Sequence, residues 1–317
     1  MAQIDELRMI ARVARLYYEL DKRQSIIAEQ LGLSQATVSR LLKRSKEEGI
    51  IRISIKMPQG VYTELEEALV MKFNLRDVFV VDSLEDDEVM IQRDLGTAAA
   101  YYLESFIRPN EVIGISSWSA TLLALVDVLH PLQRKAGVRV VQILGGVGNP
   151  AVEAHATHFT SRLAQLVKGN AVYLPVPGVL ATEAARDILL SDQVTQQAIQ
   201  LFDHVTTALV GIGAIDPSPL LSKSGNIFSS NELDLLRKEN AVGDILLHFY
   251  DINGKEVDTG LDKRVISMGL DQLTKVNRAI GVAGGSRKYS GILGALRGHW
   301  VNILITDRFT AEQLAKE

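Results

Sequence analysis

Along the chain the spacing of apolar positions changes character near residue 60. Over residues 6–20 (ELRMIARVARLYYEL), Leu7, Ile10, Ala14, Tyr17 and Tyr18 recur at helical intervals with arginines between them. Gln24–Leu31 predicts a second short helix burying Ile27, Ala28 and Leu31, and Gly32-Leu33 a tight turn. Ser34 then has the character of an N-cap for a third helix over Gln35–Lys46, with Val38, Leu41 and Leu42 facing inward. A β-branched run, Ile50–Lys56, ends at Pro58 and could form a short wing. From Gly60 to Leu75 a helix with Leu65, Leu69 and Phe73 on one side is predicted to link this head to the rest of the chain.

Beyond it, short apolar runs alternate with amphipathic stretches. The runs predict strands at Val78–Val81, Val112–Ile115, Val138–Leu144, Ala171–Leu174, Thr207–Val210, Ile245–Tyr250, Ala279–Val282 and Val301–Thr306. Helices are expected between them at Met90–Phe106, Leu122–Leu129, Ala154–Val167, Glu183–Leu190, Val194–Asp203, Asn231–Lys238 and Ser290–Leu296. Continuous apolar strands alternating with helices argue for a Rossmann-like, mainly parallel α/β sheet covered on both faces.

Composition narrows the possibilities. At 317 residues the chain has room for two domains, placed at 1–58 and 59–317 with 59–76 as the linking helix. It contains no cysteine, which excludes disulfides, thiolate metal sites and cysteine nucleophiles. No stretch approaches about 18 uninterrupted apolar residues, and Asp5, Glu6 and Arg8 stand where a signal-peptide core would lie, so a soluble cytoplasmic protein with no membrane partner is expected. The net charge of −4 hides an asymmetry. Residues 1–59 hold 11 basic against 7 acidic side chains, a balance of +4, and the remainder carries −8. A basic head on an acidic body is the distribution expected when one end meets a polyanion.

The head's order of helix, glycine turn and helix is the helix-turn-helix pattern, whose second helix enters the major groove of double-stranded DNA. Ser34, Gln35, Thr37 and Ser39 are candidates to read or position bases, and glutamine can pair with adenine through two hydrogen bonds. Arg40, Lys43 and Arg44 are candidates for phosphates or an outer base. The alternative is a three-helix unit that docks protein.

In a parallel α/β sheet, ligands bind at the carboxyl ends of the strands. Four such loops carry small or hydroxylated residues: Ser116-Ser117-Trp118-Ser119-Ala120-Thr121, Gly145-Gly146-Val147-Gly148-Asn149, Gly211-Ile212-Gly213 and Ala283-Gly284-Gly285-Ser286-Arg287-Lys288. Small residues let backbone N–H groups approach an anion, and hydroxyls with a lysine complete a phosphate cradle. Each loop alone is as readily a turn requirement, and neither a Walker loop nor a dinucleotide fingerprint is present. Asp244 could accept hydroxyl hydrogen bonds, act as a base, or brace a strand. Glu153, His155 and His158 could approach a metal, though a surface histidine pair explains them as well. No cofactor is implied.

A helix-turn-helix head followed in order by GISSWSAT (114–121), GGVG (145–148), GIG (211–213), AVGDILLHFYDINGKEV (241–257) and GVAGGSRKYSGILGAL (281–296) resembles the SorC/DeoR-type sugar-binding transcriptional regulators over nearly the whole chain. The resemblance implies a body similar to sugar-phosphate isomerases and deaminases, used for sensing, in a homodimer or homotetramer that binds operator DNA. It places the effector's phosphate at Ser116, Ser119, Thr121 and Lys288, with Gly145, Gly146, Gly148, Gly213, Gly284 and Gly285 shaping the floor. Asp244 would meet the hydroxyls of a small phosphorylated sugar or polyol. Ser119 stands where many relatives have glycine, Arg287 adds a charge beside Lys288, and Leu144 excludes a lysine Schiff base before the glycine pair. The resulting expectation is a regulator without catalysis. Its rival is a sugar-phosphate isomerase or deaminase with Asp244 as base and an appended DNA-binding head.

Overall fold

The computed structural model describes residues 2–51, 58, 60–132 and 137–317, the side chains of 2–5 and 150–156 excepted. The chain divides into two compact units, Met1–Pro58 and Gln59–Glu317.

In the first unit, helices α1 (Ala2–Tyr18), α2 (Gln24–Leu31) and α3 (Gln35–Glu47) bury Ile10, Val13, Leu16, Ile27, Ala28, Val38, Leu41 and Leu42 together. The inward stripe of α1 is displaced from the one its spacing predicts. Val13 and Leu16 are buried, whereas Leu7 and Tyr18 are 40% and 38% exposed. Positions 10, 13, 14 and 17 form the continuous stripe that two packed helices can cover. Gly32 ends α2 at φ +64°, a left-handed position that a side chain would strain, and the following Leu33 N–H returns to the Ala28 carbonyl at 2.9 Å. Ser34 caps α3, its Oγ accepting the Thr37 N–H at 3.1 Å. Most of the strand expected over Ile50–Lys56 lies outside the described residues.

The second unit opens with α4 (Thr63–Phe73). Leu69 and Phe73 are buried in its core, and Glu66 Oε1 accepts the Val80 N–H at 2.9 Å, so the helix expected to act as a linker is packed into the body. There follow β1 (Asp77–Val81), α5 (Glu88–Phe106), β2 (Val112–Ile115), α6 (Ala120–Val128), β3 (Arg139–Gln142), α7 (Pro150–Leu166), β4 (Asn170–Val172), α8 (Glu183–Ser191), α9 (Gln193–Ile199), β5 (Thr207–Gly211) and β6 (Gly213–Ala214). The chain continues through α10 (Pro219–Ser224), α11 (Ser230–Lys238), β7 (Ala241–Ile245), β8 (His248–Asp251), α12 (Leu270–Leu273), β9 (Arg278–Val282), α13 (Tyr289–Arg297), β10 (Ile303–Asp307) and α14 (Arg308–Lys316).

Seven strands pair in parallel in the order β1-β10-β9-β5-β2-β3-β4. Both faces are covered because strand residues alternate between two cores. Val112, Val210 and Leu304 join the core beneath α4, α13 and α14, while Ile113, Leu209, Ile303 and Ile305 join the one beneath α5, α6 and α7. A period of two with both sets apolar is what a sheet buried on two sides requires. No described helix is long and apolar enough to cross a membrane.

A smaller antiparallel sheet, β6-β7-β8, stands beside it. Here the expectation of one strand over Ile245–Tyr250 is corrected. Ile245 pairs with His248, and Leu246-Leu247 makes a two-residue reversal with φ +56° and +68°. Left-handed conformation at both central positions is the geometry for which Asn-Gly is the usual sequence. Two leucines give no such signal, so the segment reads as unbroken strand.

Candidate functional site

On α3 the exposed residues form one ridge. Gln35, Ser39 and Lys43 follow each other at intervals of four, with Ala36 and Arg40 alongside, all exposed. Thr37 is half-buried and its hydroxyl meets Ser34 Oγ at 2.8 Å, so this pair is committed to the helix start. Arg44, expected to be available for DNA, donates to Glu48 at 2.9 and 2.5 Å and forms a close ion pair with Glu6 of α1. Those hydrogen bonds raise the guanidinium's pKa, and Glu6 is lowered by the same contact. Arg44 braces α3 against α1, while Arg40 and Lys43 are exposed and carry a positive edge; Lys43 has a loose neighbour, Glu47, at 3.7 Å.

In the second unit the strand order fixes where a ligand can enter. From β2 the chain proceeds through α6 to β3 on one side, and from β5 it proceeds to β9 on the other. The loops after β2 and β5 therefore diverge, leaving a crevice at the switch point. Between them lies a cleft of about 760 Å³, its mouth included. Ser116 and Ser119 from the β2 loop, Gly213 from β6, Asp244 from β7 and Lys288 after β9 all line it. Glu88, Gln92, Asp216, Ser218 and Arg287 line it as well, with an apolar wall that includes Trp118, Leu144, Leu246 and Leu247.

Each polar group is set by its surroundings. Ser119 caps α6, accepting the Leu122 N–H at 3.3 Å. Trp118 Nε1 donates to the Gly145 carbonyl at 3.0 Å and Ser117 Oγ to the Leu144 carbonyl at 2.9 Å, which pins the β2 loop to the β3 loop. Asp244 is buried, its Oδ2 accepting the Leu247 N–H at 3.1 Å. Burial pushes its carboxyl up to about 6, and the Leu247 N–H and nearby Lys288 oppose the rise. Lys288 is lowered, first by burial and then by the neighbouring Arg287 charge. Arg287 itself donates to both Glu88 oxygens at 2.5–3.2 Å and to the Asp216 carbonyl at 3.3 Å, which ties the start of α5 to the loop after β6. Its extra charge is thereby matched by a carboxylate. Lys288 carries the cleft's uncommitted positive charge among the described residues.

Gly213 shows how closely the parts fit. A Cβ there would fall 2.0 Å from Asp244 Oδ1, a distance no side chain tolerates, so only glycine lets the carboxyl occupy this place.

The remaining residues assigned from sequence lie elsewhere. Thr121 is buried on α6 away from the cleft. Gly145 and Gly146 give their N–H groups to the Ile266 and Leu174 carbonyls at 3.0 and 3.2 Å. Gly148 packs against Ser224, Asn226 and Trp118. Gly284 abuts Asp307, and the Gly285 N–H donates to Asp307 Oδ2 and Thr310 Oγ1 at 2.8 and 3.0 Å. The amides of Gly145, Gly146 and Gly285 thus serve the scaffold, and the sequence-assigned groups that line the cleft are Ser116, Ser119, Gly213, Asp244 and Lys288. Glu88, Gln92, Asp216 and Ser218 join the cleft from outside the strand-end motifs; of these only Ser218 has a local signal, as the residue before Pro219 at the first turn of α10. His155 lies outside the described side chains and His158 is exposed. No cluster able to hold a metal occurs among the described residues.

Comparison with known proteins places both units. Residues 58–316 match the family described as "Putative sugar-binding domain", and residues 5–53 match the homeodomain-like domain. The chain is 35% identical over 323 residues to the sorbitol operon regulator of Klebsiella pneumoniae, spanning 100% of both chains. It is 34% identical to the deoxyribonucleoside regulator of Bacillus subtilis, spanning 99% of both. Its fold matches the crystal structure of the full-length Klebsiella pneumoniae sorbitol operon regulator with a TM-score of 0.72 and 33% identity, covering 98% of this chain and 99% of that one.

Proposed function

We propose, because the chain belongs to the SorC/DeoR-type family of sugar-binding transcriptional regulators, that it binds operator DNA through α3 and is controlled by a small phosphorylated sugar or polyol in the strand-end cleft. The observation carrying the effector reading is the convergence of Ser116, Ser119, Lys288 and Asp244 at the switch point between β2 and β5. A half-buried lysine with a lowered pKa gains a partner when a phosphate arrives, and two hydroxyls beside a helix start add donors. Asp244, ionised at pH 7.5, accepts hydroxyl hydrogen bonds. Two named relatives, regulators of a sorbitol operon and of deoxyribonucleosides, favour carbohydrate-derived effectors here.

On the DNA side, Gln35 and Ser39 face bases while Arg40 and Lys43 meet phosphates or an outer base, with Ser34, Thr37 and Arg44 setting the pose of the helix. The working form is a homodimer or homotetramer, because paired half-sites about 34–36 Å apart need two recognition helices. The effector acts by binding one quaternary arrangement more tightly than the other; equal affinity would shift nothing. A regulator needs no turnover, and catalysis is not part of this assignment.

A thermal-shift screen of phosphorylated and free sugars tests the effector reading. A ligand at 100 times its Kd stabilises by about 2.7 kcal/mol. Phosphorylated compounds are expected to raise the melting temperature and their free counterparts to do so far less, with the difference lost in Lys288→Ala. Equal shifts with and without the phosphate would overturn it.

A further inference from the structure

Adjoining the cleft is a second, smaller chamber, open at its rim, whose enclosed space of about 20 Å³ has room for a methyl group. The two spaces meet at Ala214, Pro217, Leu221, Asp244 and Leu247. Ile215, Ile227, Phe228, Leu233 and Phe249 form the rest of its wall, and Asp244 at the junction is its one polar side chain among the described residues. Phe228 and Phe249 are buried and locked edge to face, with ring centroids 5.7 Å apart. Lys288 and the two serines line the first space and not the second.

The turn between the chambers gives a second, independent observation. Leu246 and Leu247 are each 3% exposed and both hold left-handed φ angles. Non-glycine residues in that region strain the backbone, and such strain persists only where neighbouring contacts over-determine it. Here Asp244 holds the Leu247 N–H at 3.1 Å and Ser267 Oγ donates to the Leu246 carbonyl at 2.9 Å. Asparagine and glycine would relieve the strain but would line the passage with a polar amide or with nothing. The leucines keep the wall at this junction apolar.

A hydroxyl or a water in this chamber is poorly served. Water needs two to four polar partners to be held in a protein interior. The junction offers one carboxyl, with Oδ2 already engaged. We propose that the effector is deoxygenated at the end remote from its phosphate, so that a methyl or methylene terminus enters the apolar chamber while the phosphate sits at Lys288. This rests on the effector reading above and narrows its ligand class to phosphorylated deoxy sugars.

The test pairs hexulose phosphates with counterparts lacking the hydroxyl farthest from the phosphate. Fructose 1-phosphate is set against 6-deoxyfructose 1-phosphate, and fructose 6-phosphate against 1-deoxyfructose 6-phosphate, by calorimetric titration of the full chain. In the pair of matching stereochemistry the deoxy member binds about ten- to a hundredfold more tightly, the range over which an apolar pocket discriminates against an added hydroxyl. Leu233 is half-buried and Ile227 is 36% exposed, so Leu233→Asn and Ile227→Asn are expected to fold, as thermal melting of each variant checks, and they supply a partner for a hydroxyl. Both variants are expected to bring the pair towards parity, while Lys288→Ala weakens both members alike. Equal affinity within every pair that binds, or a preference for the hydroxylated member, overturns this inference alone. No binding by any phosphorylated probe overturns the effector reading and this inference with it.

Discussion

Replacing Asp244 by asparagine should stabilise the protein while impairing its sensing. Asp244 is 9% exposed, and burial raises its carboxyl from an ordinary 3.8 to about 6. The folded chain therefore holds this proton more tightly than the unfolded chain does. As pH rises through the window between those values, the unfolded state releases its proton first and stability falls; above about pH 6 the loss is complete. A gap of about two pH units corresponds to about 3 kcal/mol. Asparagine carries no charge to bury and still presents an oxygen to the Leu247 N–H, at a sacrifice of about 1 kcal/mol for the weaker neutral hydrogen bond. Asp244→Asn should thus be more stable than the parent by about 1–3 kcal/mol at pH 8, with the charge contribution shrinking by roughly half by pH 5 and vanishing below about pH 4. Urea unfolding followed by tryptophan fluorescence suits the measurement, because both tryptophans, Trp118 and Trp300, belong to the second unit. A variant less stable than the parent at pH 8, or a stability gap independent of pH, would refute the reasoning about Asp244.

Two further outcomes rest on the same geometry. Arg40→Ala should lower DNA affinity and reduce the slope of log affinity against log salt by about 0.9, one phosphate contact, whereas Arg44→Ala should change that slope little and lower the first unit's melting temperature; the two slopes from anisotropy titrations separate a DNA contact from a brace. Gly213→Ala places a Cβ 2.0 Å from Asp244 Oδ1, so the carboxyl must swing off the Leu247 N–H at a cost of about 1.5–3 kcal/mol, and thermal melting with and without effector should show lost stability together with lost ligand response.

Local chemistry made much of this molecule legible in its sequence. Gly32 and Ser34 are a stop and a start that need no tertiary context, so α2 and α3 could be placed from residues alone. The central strands carry apolar side chains at most positions because both faces are covered, and β2 is legible residue for residue. The Leu246-Leu247 reversal was invisible because its conformation is imposed from outside, by Asp244 and Ser267, against the preference of leucine. Within the cleft, Ser116, Ser119 and Lys288 are legible because each follows a recognisable strand, and Asp244 because it lies in the 241–257 segment that carries the family resemblance. For the glycine loops the deciding information is long-range: whether an N–H is free for a ligand depends on carbonyls such as Ile266, more than a hundred residues from Gly145. Arg287 and Glu88 are 199 positions apart, and nothing in the spacing of either foretells their pairing.

The central claim is that a phosphorylated ligand at Lys288 sets the grip of α3 on DNA. It is tested most directly by anisotropy titration of labelled DNA from upstream of the protein's own gene, with and without the best phosphorylated sugar, in the parent chain and in Lys288→Ala. The account predicts that effector changes the parent's DNA affinity tenfold or more and leaves Lys288→Ala at its effector-free value. An unchanged affinity in the parent under saturating ligand, or an equal response in the variant, would contradict it.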